Sequence, residues 1–472
     1  MAVLKNRFRY PALYDTYKAR IEACQDEYEF AAVMASFMAK LPGVHGGVFP
    51  PTNDLLGSST FSLYWELGYG DVRETNYAYW KQFEDRMWSY TQKSAVTSYY
   101  GGDYVFQDYD YGNGLIEEVE GGRLLRLNGE PIQTALRQLD TIHKWMYDAE
   151  NDCVRVTNLI FNESIGTPYE AEIEMPDGSI IHKTLYNDAG FNYAVQYRRN
   201  LYPQHTAQAS DTSADSQEGA KKSYVIETDP ARKLVYVRSN GCIDGETKPF
   251  CEELTAALEE IDADTIILDI QRNGGGNYTF VTEGLCHAMF DKNVGWKNYA
   301  LAPKTDITRM FFDQGLSTFM KPEEDLGDVV RYYGDYRAKG KAKKHYQIYV
   351  LISGSTFSSG DICASLFAAE DNVTLLGENT GGEGLTGDPL TYYLPESKLS
   401  FSFTPDVSEY DPDNSYVGTR PDIYCPNRWE NYLLVKALAD DPAVGKKYSS
   451  YEYRQRWDRP LIEALKLIDS QS

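Results

Sequence analysis

The residues of this chain best suited to chemistry are a run of serines and glycines at a corner. Ser353-Gly354-Ser355-Thr356-Phe357-Ser358-Ser359-Gly360 follows an apolar, β-branched run (346–353) and leads into a helical stretch (361–370). A strand that turns straight into a helix puts a hydroxyl beside unpaired backbone N–H groups, where developing negative charge is stabilised and a serine can act as a nucleophile. Ser and Gly are also what ordinary turns and N-caps are made of, and read alone the run fits a turn better. A second glycine run, Gly274-Gly275-Gly276, stands at the carboxyl end of an apolar strand (264–270), where open α/β sheets bare their amides. Its spacing matches neither G-x-G-x-x-G nor G-x-x-x-x-G-K-[ST], which sets a phosphate cradle aside. A third, Gly381-Gly382-Glu383-Gly384, follows a strand at 374–377. Far upstream, Pro42-Gly43-Val44-His45-Gly46-Gly47 ends a helical pattern; a lone histidine there is more often a surface or capping residue than a catalyst.

Several elements must position these groups. Residues 1–97 read as a helical N-terminal region carrying His45, with apolar positions at helical spacing over 14–41. Residues 98–203 change to short strands. Arg123–Leu127, the Asn128-Gly129 turn and Pro131-Ile132 form a hairpin signal, a helix is expected over 133–146, and two strands meet at Pro176-Asp177-Gly178. Residues 204–223 are polar and small, a linker or mobile loop. From 224 to 440 the pattern is α/β: strand 233–238, helix 249–261 and strand 264–270 make a βαβ unit with a parallel pair and a right-handed crossover. Residues 291–345 read as a long charged excursion, and 441–472 as a C-terminal helical tail.

Composition narrows the partners. The 472-residue chain carries 46 Lys and Arg against 70 Asp and Glu, a net charge of −24, which disfavours nucleic acid and anionic membrane surfaces. Its 38 tyrosines suit peptide or glycan contact as well as ordinary half-buried packing. Cysteines at 24, 153, 242, 251, 286, 363 and 425 form no CxxC pair, and the histidines at 45, 143, 182, 205, 287 and 345 show no ligand spacing. Neither a disulfide framework, a metal site nor an organic cofactor is expected. No stretch approaches the length of a membrane span, and the N-terminus lacks the apolar centre of a signal peptide. A cytosolic protein and the mature part of an exported one both fit.

Taken together, four separated motifs resemble the tail-specific and tricorn-type serine peptidases, the carboxyl-terminal processing family. They are Asp269 to Gly276 (D-l-R-x-N-x-G-G), Ser358 to Asp361 (S-x-x-E/D), Gly377 to Gly381 (G-E-x-T-x-G) and Gly418 to Ile423 (G-V-x-P-D-I), in the family's order. Residues 124–132 resemble part of a PDZ domain, which would match the PDZ-like insert of that family. The resemblance implies a multidomain α/β fold with a ClpP/crotonase-like core. It makes Ser358 the nucleophile, with Ser355 and Ser359 as neighbours in competition, and the N–H groups of Gly275 and Ser359 the oxyanion hole. Processing proteases place a lysine where this chain has Glu383. The tricorn-like branch uses a histidine from the N-terminal region, which points to His45 as general base. The family's further glutamate and serine positions hold Ser415 and Val44 here. Glu383, Asp413 or Glu409 could orient the imidazole, with Glu383 ranked first, while Glu378 and Asp361 are expected to brace loops.

The resulting expectation is a serine endopeptidase acting on extended or unfolded polypeptide, with no cofactor, metal or nucleic acid. The family resemblance leans toward an exported or cell-surface form. A catalytically inactive peptide- or glycan-binding relative and a serine esterase on the same scaffold are the alternatives.

Overall fold

Strands buried on both faces read as unbroken apolar runs, and two such runs, 265–269 and 347–352, lie side by side at the centre of the molecule. The computed structural model describes residues 10–41, 45, 47–49, 79, 81–201, 222–306, 308–309, 320–387, 389–394 and 396–471. The central sheet runs in chain order: β1 (Tyr224–Asp229), β2 (Leu234–Ser239), then helix α1 (Thr247–Glu260), β3 (Thr265–Asp269), β4 (Gln347–Ile352), helix α2 (Ser359–Ala368), β5 (Val373–Gly377) and β6 (Ile423–Tyr424). β1 pairs antiparallel with β2, and every later pair is parallel. The βαβ unit expected from the sequence is therefore present.

Alternate residues of these strands serve two cores. Val235, Val237, Ile266, Leu268, Ile348, Val350 and Ile352 face α1 and α2, packing on Phe250, Leu254, Leu258, Ile362, Leu366 and Phe367. Leu234, Tyr236, Ile267, Tyr349 and Leu351 face the opposite way, onto Leu461, Ala464, Leu465 and Ile468 of helix α3 (Arg459–Gln471). The expected C-terminal tail is thus a layer of the core. Burying such side chains contributes about 1.5–3 kcal/mol each, and α3 covers this sheet face together with Tyr451 and Cys425. Arg454 adds a buried ion pair to Asp269, 2.5 Å away, and another to Asp458.

A β-rich module precedes the sheet. Its strands (94–100, 103–107, 123–127, 130–131, 158–162, 167–174 and 180–187) form one antiparallel ladder. Tyr104 and Val105 pair with Leu124 and Arg123, bringing the ladder round on itself. Asn128 and Gly129 take the positive φ angles (50° and 80°) that the expected Asn-Gly turn requires. The ladder starts at Ser94, ahead of the expected boundary at 98. The helix expected over 133–146 is helical only from Ile132 to Gln138. Trp145–Asp148 instead pairs as a strand with Cys153–Val156. Residues 204–221 of the expected linker lie outside the described residues.

The N-terminal helices, Tyr10–Glu22 and Glu27–Ala39, replace one expected long helix. The chain breaks at 23–26, where Asp26 caps the second helix by accepting from the Glu29 N–H. The second helix packs on Ala189 and Tyr193, and on a small sheet formed by 47–49, 400–403 and 390–393. Within the excursion at 291–345, strands 297–303, 320–325 and 329–335 join 407–408 in a separate sheet.

Candidate active site

The serine corner is a strained one. β4 ends at Ile352 and α2 begins at Ser359, so Ser358 has to reverse the chain between them, with φ 55° and ψ −123°. A non-glycine residue in that region is held there at a cost of about 1–3 kcal/mol. Both flanking glycine loops supply the restraint. Phe357 N–H donates to Asn273 O at 2.9 Å, and Ser358 N–H donates to Gly382 O at 3.0 Å. Ser358 is partly exposed, and among the described residues its hydroxyl has no hydrogen-bond partner. Its neighbours are placed differently: Ser359 Oγ donates to Gly276 O at 2.7 Å, and Ser355 lies exposed on the preceding turn.

Gly275 meets the serine directly. Its φ is 101°, and a Cβ built on it would lie 2.7 Å from Ser358 Cβ and 3.0 Å from Ser359 N. Only glycine lets the two loops approach this closely. The two expected oxyanion donors differ in availability. Ser359 N–H has no acceptor among the described residues, whereas Gly275 N–H donates to Asn273 Oδ1 at 2.9 Å.

His45 is brought to the corner by the small sheet. Gly47 pairs with Ser402, and Ser402 Oγ donates to His45 O at 2.6 Å. The imidazole packs on Phe357, the residue before Ser358, with ring centroids 4.8 Å apart. Its Nδ1 is buried without a hydrogen-bond partner, and no hydrogen bond among the described residues joins the ring to Ser358. Burial depresses the imidazole below its usual pKa; Glu383 pulls it up and Lys144 pushes it down. The net direction favours the neutral, proton-accepting form.

Glu383 is buried, in a left-handed conformation (φ 66°). Lys144 Nζ ion-pairs with its Oε1, and Thr404 Oγ1 donates to its Oε2 at 2.7 Å. Burial works to raise its pKa, but the Lys144 charge and His45 outweigh it, leaving the carboxyl below the usual range. Strand 400–403 and the residue after it thus fix two groups at once, His45 through Ser402 and Glu383 through Thr404. Glu409, in contrast, is committed to Arg331 at 2.7 Å, and it is not among the charges that act on His45. Asp413 precedes the short helix 414–417 and likewise does not act on the imidazole.

Two loop braces complete the surroundings. Asp361 is fully buried and accepts from Thr380 Oγ1, Thr419 N and Oγ1, Gly384 N and Asn414 Nδ2. Glu378 faces Arg155 at 3.3 Å, and Arg155 also donates to the carbonyls of Asn379 and Thr380. Lys144 and Arg155, both from the β-rich module, therefore grip the two ends of the loop 378–384. Lys144 was not singled out in the sequence; a lone lysine next to Trp145 gives no local signal. Among the described residues, no cluster of His, Cys, Asp and Glu could hold a metal, and no helix is long and apolar enough to cross a membrane.

A bare serine hydroxyl on a strained strand-to-helix corner, beside a glycine-only approach, is an arrangement that suits a nucleophilic serine. Residues 233–424, which include that corner and its glycine loops, match the model of peptidase family S41. A crystal structure of a mutant of CPAF is similar to this chain in fold, with 14% identity and a TM-score of 0.50, covering 97% of this chain and 92% of that one. The photosystem II D1 C-terminal processing protease aligns at 13% identity, TM-score 0.33, over 92% of this chain and all of that one. An S41 protease structure from Bacteroides fragilis NCTC 9343 aligns at 14% identity, TM-score 0.35, over 80% and 79%. No curated protein sequence matches the chain.

Proposed function

We propose that this chain is an endopeptidase for extended or unfolded polypeptide, with Ser358 as nucleophile and His45 as general base. The observation that carries the reading is the uncommitted hydroxyl of the strained Ser358, with a neutral-leaning imidazole packed against the residue before it. Ser358 Oγ attacks the scissile carbonyl while His45 takes its proton, and the tetrahedral oxyanion accepts from Ser359 N–H. Gly275 N–H joins as second donor by sharing its hydrogen between the oxyanion and Asn273 Oδ1. His45 then protonates the leaving amine, and a water activated by the same imidazole releases the acyl group. A preorganised donor of this kind is worth about 3–4 kcal/mol in the barrier.

One observation favours a second reading, peptide binding without turnover: His45 and Ser358 share no hydrogen bond, and Gly275 N–H is engaged. Slack contacts of this sort are common in ligand-free sites and tighten in the substrate complex. Labelling with a fluorophosphonate decides between the readings. The native chain should be labelled and should cleave an unfolded protein, and Ser358→Ala should do neither. A native chain that takes no label, or a Ser358→Ala chain that labels equally well, would overturn the assignment.

A further inference from the structure

Glu383 stands beside His45, yet it does not reach the imidazole as a hydrogen-bond partner; its oxygens are held by Lys144, Thr404 and Thr386. The charges acting on His45 are Glu383 from the loop after β5 and Lys144 from the β-rich module. The corner contributes Phe357, and strand 400–403 contributes Ser402, neither of them charged. An anion so close to a general base would favour its protonated, inactive form. Lys144 is placed to oppose this.

The placement is built in. The loop that carries Lys144 is tied to both N-terminal helices: Lys40 Nζ and Ser36 Oγ, at and near the end of the second, donate to Leu139 O at 2.9 Å and to Asp140 Oδ1 at 2.8 Å, and Arg20 of the first ion-pairs with Asp140 at 2.7 Å. Trp145 Nε1 donates to Thr141 Oγ1 at 2.8 Å, and Lys40 lies over the Trp145 ring. Histidine and lysine both pack on the Phe357 ring, 4.8 Å and 5.8 Å from its centroid.

We propose that Lys144 is a positioning residue of the catalytic site, an ammonium lent by the β-rich module that holds Glu383 and offsets its charge beside His45. The proposal rests on His45 being the general base. Lys144 is not itself the base, because an ammonium ion-paired to a carboxylate has no lone pair to accept a proton.

Lys144 Nζ is 5.8 Å from the Phe357 centroid and His45 is 4.8 Å from it, so the two are at most about 11 Å apart. A unit charge at that distance, in an effective permittivity of about 20, moves an imidazole pKa by roughly one unit. The test is an NMR titration of the carbon-13-labelled histidines, with His45 assigned by His45→Gln. Lys144→Met should raise the His45 pKa by about one unit, Glu383→Gln should lower it, and Lys144→Arg should leave it as in the native chain. Fluorophosphonate labelling should follow, its acid limb moving up in Lys144→Met and down in Glu383→Gln. An unchanged His45 titration in Lys144→Met would overturn the proposal, as would shifts of the same sign in both charge-removing variants. The titration decides this even if Ser358 takes no label; absence of label overturns the peptidase reading alone.

Discussion

Replacing Asp361 by asparagine should loosen the site from behind without touching any reacting atom. Asp361 Oδ1 accepts from Thr380 Oγ1 at 2.5 Å, Thr419 Oγ1 at 2.7 Å and Thr419 N at 3.2 Å; Oδ2 accepts from Gly384 N and Asn414 Nδ2, each at 2.9 Å. An amide must turn its NH2 toward one of these sets. The smaller loss is on the Oδ2 side, where two donors would then face a donor in a site closed to water. Hydrogen bonds to a charged acceptor contribute about 1.5–3 kcal/mol each, so the expected cost of losing two is about 3–6 kcal/mol. That is a large part of a typical domain's stability and should lower the urea midpoint by about 1–2 M. Because the 380–384 loop accepts the Ser358 N–H and carries Glu383, fluorophosphonate labelling should slow as well. Adding Asn414→Ala should cost less than the sum of the single changes, since both act on one network. An Asp361→Asn chain with native urea midpoint and native labelling rate would refute the reasoning.

Two further outcomes follow from packing. Gly275→Ala, which combines φ 101° with a Cβ 2.7 Å from Ser358 Cβ, should abolish labelling, whereas Gly274→Ala, with nothing within 4 Å, should leave it near native. Arg155→Met strips a buried partner from Glu378 and should destabilise the chain by about 3–5 kcal/mol in denaturant; adding Glu378→Gln should recover part of that loss.

Much of the site was legible because its chemistry is local. A serine corner and two glycine loops after strands announce themselves by residue type and position, and the structure brings Ser358, Gly275, Ser359, His45 and Glu383 into one neighbourhood. The central strands were legible for the same reason, as unbroken apolar runs. What stayed hidden depends on tertiary contact. The stretch from Gln133 to Met146 has helical spacing, but Asp140 is drawn off by Arg20 and Ser36, and the Trp145 strand pairs with 153–156. The helix therefore stops at Gln138, and Lys144 is free to point at Glu383. Helix α3 looked like a tail because an amphipathic helix does not reveal which sheet it covers. Gly275 N–H could be read as bare, but the neighbouring Asn273 side chain that engages it could not be anticipated from spacing.

The position of α3 also has a consequence for how the protein is made. Translation delivers Ser358 well before residues 459–471, yet those residues cover Tyr349 and Leu351, on the strand that carries the serine corner. A chain still on the ribosome and not yet past Arg459 would have that face only partly covered, and its exposed apolar surface would favour aggregation. The strand that carries the serine corner thus gains its full packing only after residues 459–471 have been made.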